Sequence, residues 1–561
     1  MIQILRNIAE QKKADWILNA GLKKSGTAIL EKMEQYGLSD YLAIKQKYFD
    51  QYQESLMENQ GDTSKKYIAI QEFEMSEKLT KATRFQYEQM NQMPEGEKPV
   101  FHVSAPAGWI NDPNGFSVYK GKVHLFYQYH PYSICWGPMH WGHSVTDDMI
   151  KWKTEPVALA PDQEYDKKGC FSGSAVQAGD RHVLIYTGVT DEEKSDGSRE
   201  ERQNQCIAFG DGVTYEKSPQ NPVITGDMLP QGCSQIDFRD PKIWEEDGKY
   251  YLIVGNKSEK YKGQVVLFSS SDLEKWKFET ILAENTSGKI GCMWECPDFF
   301  ELNGNHILIC SPQNMTAEGL EFHNGHNSLY FSGRYEKQSH TFIKDEPRSL
   351  DYGLDFYAPQ TTCLPDGRRV MIAWMKSWDS CVIPDGQSWQ GMMTLPRELE
   401  YVNGILFQKP VRELEKYHKN PVYYKEAEIK DKTELPGIRG RILDMTVEIP
   451  EGDYEEFRID LAHNESYTTS YTYYRKQGIL ETDRTYCGIN KDVVCQRKMK
   501  IRGTEKALKL RFILDRQSIE LFVNEGRQVS TTAICTPQEA ERIVFSCDRS
   551  IKVNIQMYEI A

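Results

Sequence analysis

The sequence predicts a mainly β protein with a helical extension at its N-terminus. Three observations carry this prediction. Residues 98–409 contain many short apolar runs separated by turn residues, residues 421–561 contain runs in which every second residue is apolar, and residues 1–97 show helical periodicity. Many short strands joined by hairpin turns are typical of a propeller, a barrel or a sandwich. A chain of 561 residues is also long enough for two or three folded units.

The first 97 residues are predicted to be helical. Glycine is sparse there, and lysine, glutamate and glutamine, which favour helices, are common. Apolar residues that recur at helical spacing on one face are Tyr41, Ile44, Tyr48, Tyr52 and Leu56. Pro94, Gly96 and Pro99 then end the helical pattern. We expect these helices to pack against the rest of the chain or a second subunit, where they would narrow access to a functional site, or else to form a passive cap.

Residues 98–409 are predicted to form the larger β domain. Its clearest strand-like runs are Lys122–Tyr129, His182–Tyr186, Tyr250–Val254, Gln264–Phe268, His306–Cys310 and Val370–Trp374. Hairpin-type turn pairs precede four of them: Lys120-Gly121, Asp247-Gly248, Asn303-Gly304 and Asp366-Gly367. This density of short strands and turns favours an all-β domain of the kinds named above.

A charged segment, residues 410–420, is predicted to link this domain to a second β domain at residues 421–561. In Leu508–Leu514 and Ser518–Val523, apolar residues occupy every second position, as in strands with one buried face. About 140 residues is an ordinary size for a single domain. We therefore expect a separate β-sandwich at the C-terminal end.

Composition and charge limit the partners of the chain. The net charge of −14 disfavours nucleic acid and anionic membrane surfaces, and no apolar run is long enough to span a membrane. The N-terminal sequence has no apolar core or cleavage site typical of a secretion signal. Thirteen cysteines, an odd number with irregular spacing, suit reduced thiols better than a disulfide framework. We therefore expect a cytoplasmic protein.

Three acidic residues lie in contexts that favour catalysis. Asp112 lies in WINDPNG, Asp240 in FRDPK and Glu295 in MWECPD, each among apolar, aromatic or proline residues rather than in a solvated charge run. Glycosidic cleavage needs two carboxyl groups, and a perturbed environment tunes such groups for acid/base work. Each motif alone is also compatible with an ordinary turn. Three such motifs with aromatic neighbours favour the catalytic interpretation.

The same residues resemble glycoside hydrolase family 32, the invertases and fructan hydrolases. The run His102 to Gly115 carries the resemblance, together with Arg239-Asp240-Pro241 and Glu295-Cys296-Pro297. Further matching segments are His140-Trp141-Gly142-His143, Phe171-Ser172-Gly173-Ser174-Ala175, Asp355-Phe356-Tyr357-Ala358-Pro359-Gln360, Ala373-Trp374-Met375, Thr394-Leu395-Pro396-Arg397-Glu398 and the run Asp515 to Asn524. The resemblance extends over about residues 98–561 and leaves out the N-terminal extension.

The resemblance implies a five-bladed β-propeller at residues 98–409 followed by the β-sandwich. Asp112, Ser172, Asp240, Glu295 and Asp355 follow one another at intervals of 55 to 68 residues, which agrees with one motif per blade. The implied reaction is the release of terminal β-D-fructofuranosyl units from sucrose or short fructo-oligosaccharides by double displacement, with retention of configuration. The implied substrate is thus a small carbohydrate: sucrose, sucrose 6-phosphate or a fructo-oligosaccharide.

The resemblance also implies the roles of the site residues. Asp112 would be the nucleophile, Glu295 the general acid/base and Asp240 the carboxylate that stabilises the transition state, kept ionised by Arg239. The residues implied to bind substrate are Asn111, Gln128, Trp136, Phe171, Ser172, Arg239 and Trp374. The family more often has tryptophan where Phe171 stands.

Other interpretations of the sequence remain open at this point. A fructosyltransferase on the same scaffold would differ only in whether a sugar or water resolves the intermediate, and a non-catalytic carbohydrate-binding propeller or an assembly scaffold would need none of the three carboxyl groups. No metal and no cofactor is expected: His140 and His143 lack the spacing of a zinc site, and no nucleotide-binding loop occurs. A homo-oligomer could form through the N-terminal helices or the sandwich.

Overall fold

Five antiparallel sheets of short strands surround a common axis and form a five-bladed β-propeller, which a larger C-terminal sheet follows. The computed structural model describes residues 76–94, 96–380, 386–503 and 507–561. The helical face predicted at Tyr41–Leu56 lies outside the described residues. Helix α1 (Glu77–Gln92) precedes the propeller. The predicted mainly β fold, with five blades and a sandwich-like C-terminal domain, is confirmed.

The blades have these strands in chain order. Blade I contains β1 (Gly108–Tyr119), β2 (Lys122–His130), β3 (His140–Thr146) and β4 (Lys153–Leu159). Blade II contains β5 (Gly169–Ala178), β6 (Arg181–Glu193), β7 (Arg199–Gly210) and β8 (Tyr215–Lys217). Blade III contains β9 (Cys233–Glu246), β10 (Lys249–Ser258), β11 (Gly263–Ser270) and β12 (Lys277–Glu284).

Blade IV contains β13 (Met293–Leu302), β14 (Asn305–Gln313), β15 (Leu329–Glu336), β16 (Thr341–Lys344) and the short β17 (Arg348–Ser349). Blade V contains β18 (Tyr357–Cys363), β19 (Arg369–Trp374), β21 (Arg397–Val402) and β22 (Ile405–Pro410). Strand β20 (Trp389–Gln390), which precedes β21 in the chain, pairs in parallel with β1 of blade I and so joins the last blade to the first.

Two-residue turns set the register of the hairpins. Lys120-Gly121, Asp247-Gly248 and Asn303-Gly304 each have positive φ at both residues. Their flanking residues pair directly, as in Tyr119↔Lys122. Turns of this kind match the right-handed twist of the strands and favour glycine at the second position. The sequence therefore predicts these three hairpins correctly from the turn pairs alone.

The first strand of every blade faces the propeller axis, because these five strands contact one another in a closed circuit. Each of them carries a β-bulge, a break in register, at the same relative position. We call the residues at these breaks the bulge ring: Asp112, Ser172, Asp240, Cys296 and Ala358. A proline follows four of them and a glycine follows Ser172, which suits a bulge because its residues leave the ladder of hydrogen bonds.

Two residues beyond each bulge, a polar side chain ties its blade to a neighbour. We call these residues the polar ring: Asn114, Ser174, Lys242, Asp298 and Gln360. Bonds between successive blades are Gly173 N–H to Asn114 Oδ1 (3.3 Å), Ile243 N–H to Ser174 Oγ (2.9 Å), Lys242 Nζ to Asp298 Oδ2 (3.1 Å), Thr361 N–H to Asp298 Oδ2 (2.6 Å) and Phe116 N–H to Gln360 Oε1 (2.7 Å). The polar ring closes around the axis and holds the bulges in place.

The C-terminal domain is a ten-stranded sheet folded into two halves. Its strands are β23 (His418–Thr433), β24 (Leu443–Pro450), β25 (Glu456–His463), β26 (Thr468–Tyr474), β27 (Ile479–Tyr486), β28 (Gln496–Lys500), β29 (Ala507–Asp515), β30 (Ser518–Val523), β31 (Gln528–Ala533) and β32 (Arg542–Ile560). The first part of β32 pairs with β25 and its last part with β24, so the long strand joins the halves. Both halves contribute to one apolar core.

The predicted linker region, residues 410–420, holds the end of β22, a 3-10 helix (Arg412–Tyr417) and the start of β23. Two further 3-10 helices, Glu164–Asp166 and Gly226–Met228, lie in the propeller. The C-terminal part of α1 packs on blade I: Val157 N–H donates to Thr83 Oγ1 (3.2 Å) and Gln86 Nε2 to the Glu155 carbonyl (3.0 Å). No helix among the described residues is long and apolar enough to cross a membrane.

A buried charge cluster joins the propeller to the sandwich. His102 contacts Asp515 through Nδ1 and Glu520 through Nε2, each at 2.9 Å. Arg397 of β21 binds Glu520 (2.6 Å) and Asp351 (3.0 Å). All these side chains are almost fully buried, and the cluster therefore holds the two domains in one arrangement.

Candidate active site

Three carboxyl groups meet at one end of the propeller axis, on blades I, III and IV. Asp112 and Asp240 are members of the bulge ring, and Glu295 directly precedes its member Cys296. The thiol of Cys296 lies 3.6 Å from Asp112 Oδ2 and 3.7 Å from Asp240 Oδ2, and its backbone N–H donates to Asp240 Oδ2 at 3.0 Å. Residues far apart in the chain are thus brought together because each blade contributes the same strand position.

Asp112 is buried, and a hydrogen bond to one of its two carboxyl oxygens holds the group in place. Ser172 Oγ donates to Oδ2 at 2.6 Å, whereas Oδ1 has no hydrogen-bond partner among the described residues. Burial raises the pKa of Asp112, and the charge of Glu295 adds to this, while the hydrogen bonds from Ser172 and Asn111 oppose it. The arrangement leaves Oδ1 as the oxygen that can react.

Asp240 has a positive φ angle and a raised pKa. Its φ is +66°, a conformation that a β-bulge accommodates, and its N–H donates to Thr187 Oγ1 at 3.0 Å. Burial raises the pKa of Asp240 to about 7, with the charges of Glu295 and Asp112 in the same direction and Arg239 opposing them. The expectation that Arg239 keeps Asp240 ionised is therefore met only in part, since Arg239 lowers this pKa without offsetting burial.

Arg239 instead pairs directly with Glu295. Its Nε and one terminal nitrogen donate to Glu295 Oε1 at 3.0 and 2.9 Å, and its other terminal nitrogen donates to Gln203 Oε1 at 3.2 Å. The hydroxyl of Tyr357 donates to Glu295 Oε2 at 2.6 Å. Burial lowers the pKa of Arg239, but the charges of Glu295 and Asp240 outweigh it and raise this pKa above its ordinary value. Both oxygens of Glu295 are thereby fixed in orientation.

The remaining predicted substrate residues divide into open and buried ones. Trp136 is 48% exposed and meets Phe171 edge to face, with 5.8 Å between ring centroids, so these two form an aromatic wall. Asn111 Oδ1 accepts from Trp109 Nε1 at 2.7 Å, and Gln128 Nε2 donates to the Cys170 carbonyl at 2.9 Å. The latter two side chains are buried and fix the floor of the pocket.

Trp374 is placed differently from a simple pocket wall. It is 0% exposed and packs between Trp109 and Trp378, with ring centroids at 5.8 and 5.1 Å. Trp378 is half-buried and lies outside it. Trp374 therefore supports the pocket from behind, and Trp378, which was not predicted as a site residue, presents the accessible ring.

Two features of blade V differ from the sequence prediction: Tyr357 was not predicted as a site residue, and the fifth motif does not face the axis. Asp355 keeps the interval that agreed with one motif per blade, but it lies at the domain boundary, where Ser380 Oγ (2.6 Å), the Ala533 N–H (2.8 Å) and Arg484 donate to it. The blade V member of the bulge ring is Ala358. The residues that precede the five bulges are Asn111, Phe171, Arg239, Glu295 and Tyr357, so aligning the X-Pro and Ser-Gly pairs would have found Tyr357.

Within the described residues, no cluster of three or more His, Cys, Asp or Glu side chains could hold a metal ion. His140 and His143, considered above as ligands, do not meet: His140 Nδ1 contacts the Pro138 carbonyl, and His143 stacks on Phe126 with 4.1 Å between ring centroids.

Carboxyl groups that converge beside accessible aromatic rings are typical of the glycoside hydrolases. Known proteins agree. The N-terminal domain of glycosyl hydrolases family 32 matches residues 102–410, and the C-terminal domain of that family matches residues 413–559. The chain belongs to glycosyl hydrolase family 32, which confirms the resemblance noted in the sequence.

Curated relatives and solved structures extend over most of the chain. A raffinose invertase of Escherichia coli is 38% identical over 451 residues, which are 79% of this chain and 91% of the relative. A sucrose-6-phosphate hydrolase of Bacillus subtilis is 36% identical over 76% of this chain and 87% of the relative. The structure of a β-fructofuranosidase of Bombyx mori is 32% identical, with a TM-score of 0.75, over 86% of this chain and 97% of that one.

Proposed function

We propose that the protein is a β-fructofuranosidase that releases a terminal β-D-fructofuranosyl unit from sucrose, sucrose 6-phosphate or a short fructo-oligosaccharide. The observation that carries this proposal is the convergence of Asp112, Asp240 and Glu295 around Cys296 at the end of the propeller axis. The names of the relatives, a raffinose invertase and sucrose-6-phosphate hydrolases, support the same substrate class.

In the first step Asp112 attacks the anomeric carbon of the fructosyl unit. Oδ1 forms the new bond, while the bond from that carbon to the glycosidic oxygen breaks and Glu295 gives its proton to the departing oxygen. Ser172 keeps Oδ2 in place, so the carboxyl group is oriented before the substrate binds. The products are a covalent fructosyl-enzyme and a free sugar.

In the second step a water molecule takes the place of the departed sugar. Glu295 accepts a proton from this water as its oxygen bonds to the anomeric carbon, and the bond to Asp112 breaks. Two displacements restore the original configuration. In both steps Asp240 stabilises the positive charge that develops on the fructosyl ring, and Asn111, Gln128, Trp136, Phe171, Ser172, Arg239 and Trp374 form or support the pocket.

Two alternatives predict different products. A fructosyltransferase would resolve the intermediate with a second sugar, and a non-catalytic propeller would bind sugars without change. The three carboxyl groups argue against a non-catalytic propeller, whereas a hydrolase and a transferase would both use them. The names of the relatives support hydrolysis. Measuring free fructose and longer oligosaccharides at high sucrose concentration separates these functions.

Release of fructose from sucrose, sucrose 6-phosphate, 1-kestose and inulin by the full chain tests the proposal. We expect release from the small fructosides, and a loss of about 10³-fold or more in kcat for Asp112→Asn and for Glu295→Gln. A wild-type protein that leaves every fructoside intact, or an Asp112→Asn variant of full activity, would refute the proposal.

The setting of the enzyme is also a proposal. The described cysteines are free thiols, which supports placement in the reducing cytoplasm. Assembly of two or more chains through the N-terminal helices or the sandwich stays a prediction, which the mass of the protein in solution measures. A mass of one chain at working concentrations would exclude it.

A further inference from the structure

The loop 314–328, between β14 and β15, lies beside the acid/base carboxyl group. The ring of His326 meets the ring of Tyr357 edge to face, with centroids 5.7 Å apart, and the hydroxyl of Tyr357 donates to Glu295 Oε2. Because Glu295 protonates the departing oxygen in the proposed reaction, the leaving sugar occupies this side of the pocket. The loop therefore lies where the leaving sugar can be recognised.

The shape of this loop depends on Asp379 of blade V. The carboxyl group of Asp379 accepts from the His326 N–H at 2.7 Å and contacts His326 Nδ1 at 3.1 Å. A Cβ atom at Gly325 would lie 2.3 Å from Asp379 Oδ2, and the φ of Gly325 is +92°, so only glycine permits this close approach. The carboxyl group of Asp379 is thus already bonded to His326.

Strand β28 of the sandwich pairs with β27, and Arg497 lies opposite Thr482, two positions from Arg484, which donates to Asp355. Ser380, the residue after Asp379, donates to the same carboxyl group at 2.6 Å. Burial lowers the pKa of Arg497, which lies within electrostatic range of Asp355 and Asp379. Burial also lowers the pKa of His323 in the loop to about 4, and the charge of Arg497 adds to this effect. Arg497 is therefore a positively charged residue of the sandwich that lies next to the loop 314–328.

The guanidinium group of Arg497 makes no hydrogen bond and no ion pair with any described residue, and its Nε is fully buried. The neighbouring Arg484 differs, because it donates to Asp355 and to the Ala533 carbonyl (2.9 Å). The two nearby carboxyl groups are already bound, Asp355 by Arg484 and Asp379 by His326. Arg497 is left with unused donors in a partly buried place.

A partly buried guanidinium group without a hydrogen-bond acceptor destabilises the protein. A ligand that supplies the acceptor removes this cost, which strengthens its binding. Phosphate suits it best, since its oxygens match the planar fork of a guanidinium. We propose that Arg497 binds the phosphate of a phosphorylated leaving sugar, which makes the protein selective for fructosides such as sucrose 6-phosphate. This inference rests on the proposed function and adds a residue from the sandwich to the substrate site.

The test compares kcat/KM for sucrose 6-phosphate and for sucrose in four proteins. In Arg497→Gln the ratio of the two values falls about tenfold or more, because a charge-assisted bond to phosphate is lost. Arg497→Lys keeps part of the ratio, since the charge remains. Lys498→Gln is the matched control: it removes a positive charge at the next position of β28, which points to the opposite face and is 48% exposed.

An equal kcat/KM for both sugars in the wild-type protein, with no change of the ratio in Arg497→Gln, would overturn the inference and leave the proposed function intact. Calorimetry with glucose 6-phosphate decides the matter even if no fructoside is hydrolysed. The inference requires that glucose 6-phosphate binds the wild-type protein, binds Arg497→Gln about tenfold more weakly, and binds better than inorganic phosphate. Equal binding of inorganic phosphate would overturn the assignment to a sugar phosphate.

Discussion

Asp112 and Asp240 are buried beside the half-buried carboxyl group of Glu295, which Arg239 binds. Burial and mutual repulsion raise the pKa values of Asp112 and Asp240, because the charged form of each is disfavoured. Such an arrangement costs stability, since the folded state holds charges that the unfolded chain exposes to water. In the proposed reaction the same groups surround a fructosyl ring that develops positive charge, and their negative charge stabilises that transition state.

Asp240→Asn tests this cost. The pKa of Asp240 is raised to about 7 in the folded protein. Its ionisation therefore lowers the free energy of unfolding by an amount that is full above about pH 7 and disappears as the pH falls to the pKa of an aspartate in the unfolded chain. At about pH 8 the asparagine variant gains about 1–4 kcal/mol in free energy of unfolding, while its kcat falls by a large factor. Denaturant titrations at about pH 8 and pH 5 measure the gain, which should shrink at the lower pH.

Ser172→Ala tests the hydrogen bond to Asp112, the proposed nucleophile. The bond from Ser172 lowers the pKa of Asp112, so its removal raises this pKa further. Asp112 must lose its proton to attack, and the fall of kcat/KM on the acid side therefore moves to higher pH in the variant. A pH profile of kcat/KM measures this shift, and an unmoved acid limb would show that Ser172 does not control the nucleophile.

The sequence indicated the site residues unevenly. Asp112, Asp240 and Glu295 stood out because each lies among apolar and aromatic residues, a local property that sequence displays. Arg239 was found, but its partner is Glu295, and Trp374 was found, but Trp378 covers it. Those relations depend on which blades meet at the axis, which is a property of the whole propeller and not of any one segment.

At the scale of single elements, the bulge ring explains why the site motifs look alike. Asp112, Asp240, Cys296 and Ala358 precede prolines that a regular inner strand would exclude, and the bulges accommodate them. The polar ring then connects each bulged strand to a neighbour. Ser174 illustrates this, since Oγ donates to the Pro241 carbonyl at 2.7 Å and accepts from the Ile243 N–H.

Ser174→Ala tests the polar ring. The substitution leaves the buried carbonyl of Pro241 and N–H of Ile243 without their partner, which costs about 2–4 kcal/mol in free energy of unfolding. Gln177→Ala, an exposed position of the same strand, should change it by less than about 0.5 kcal/mol. Equal stability of the two variants in urea would mean that the polar ring does not hold the blades together.

The strands and hairpins followed from the sequence more readily than the bulges. Turn pairs such as Asn303-Gly304 predict their own backbone conformation, because a two-residue hairpin turn needs positive φ at both residues and few other residue pairs adopt it. A bulge depends on the pairing with the next strand, and the motif Asn-Asp-Pro-Asn-Gly therefore resembled an isolated turn although it lies inside β1.

For the whole molecule, the domain boundary is as charged as the active site. His102, Arg397 and Asp515 belong to segments that carried the family resemblance, yet the structure places them between the domains. Burial lowers the pKa of His102, but the hydrogen bonds and charges of Asp515 and Glu520 outweigh it and raise the pKa to about 9. The protonated imidazole therefore connects the two domains at neutral pH.

His102→Gln tests that connection. A folded pKa above the unfolded one means that the stabilisation is fully present below about pH 6.5 and is lost as the pH rises through 9. The difference in free energy of unfolding between wild type and variant should therefore be larger at about pH 6 than at about pH 9.5, by about 3 kcal/mol. A difference that stays constant with pH would show that His102 is neutral in the folded protein.

The number of blades came from the resemblance, whereas the strand and turn patterns of residues 98–409 alone left propeller, barrel and sandwich open. Blade count depends on how strands close around an axis, and Asp355, which kept the expected interval, turned out to bind Arg484 of the sandwich. Sequence spacing therefore located the blades but not the side chains that face the centre.

The most direct test of the roles of Asp112 and Glu295 is azide rescue with p-nitrophenyl β-D-fructofuranoside, whose leaving group needs no acid. We expect Glu295→Ala to form β-fructosyl azide, because azide resolves the covalent intermediate on Asp112. We expect Asp112→Ala to form α-fructosyl azide, because azide attacks the substrate directly. The opposite assignment of anomers, determined by NMR of the products, would contradict the account.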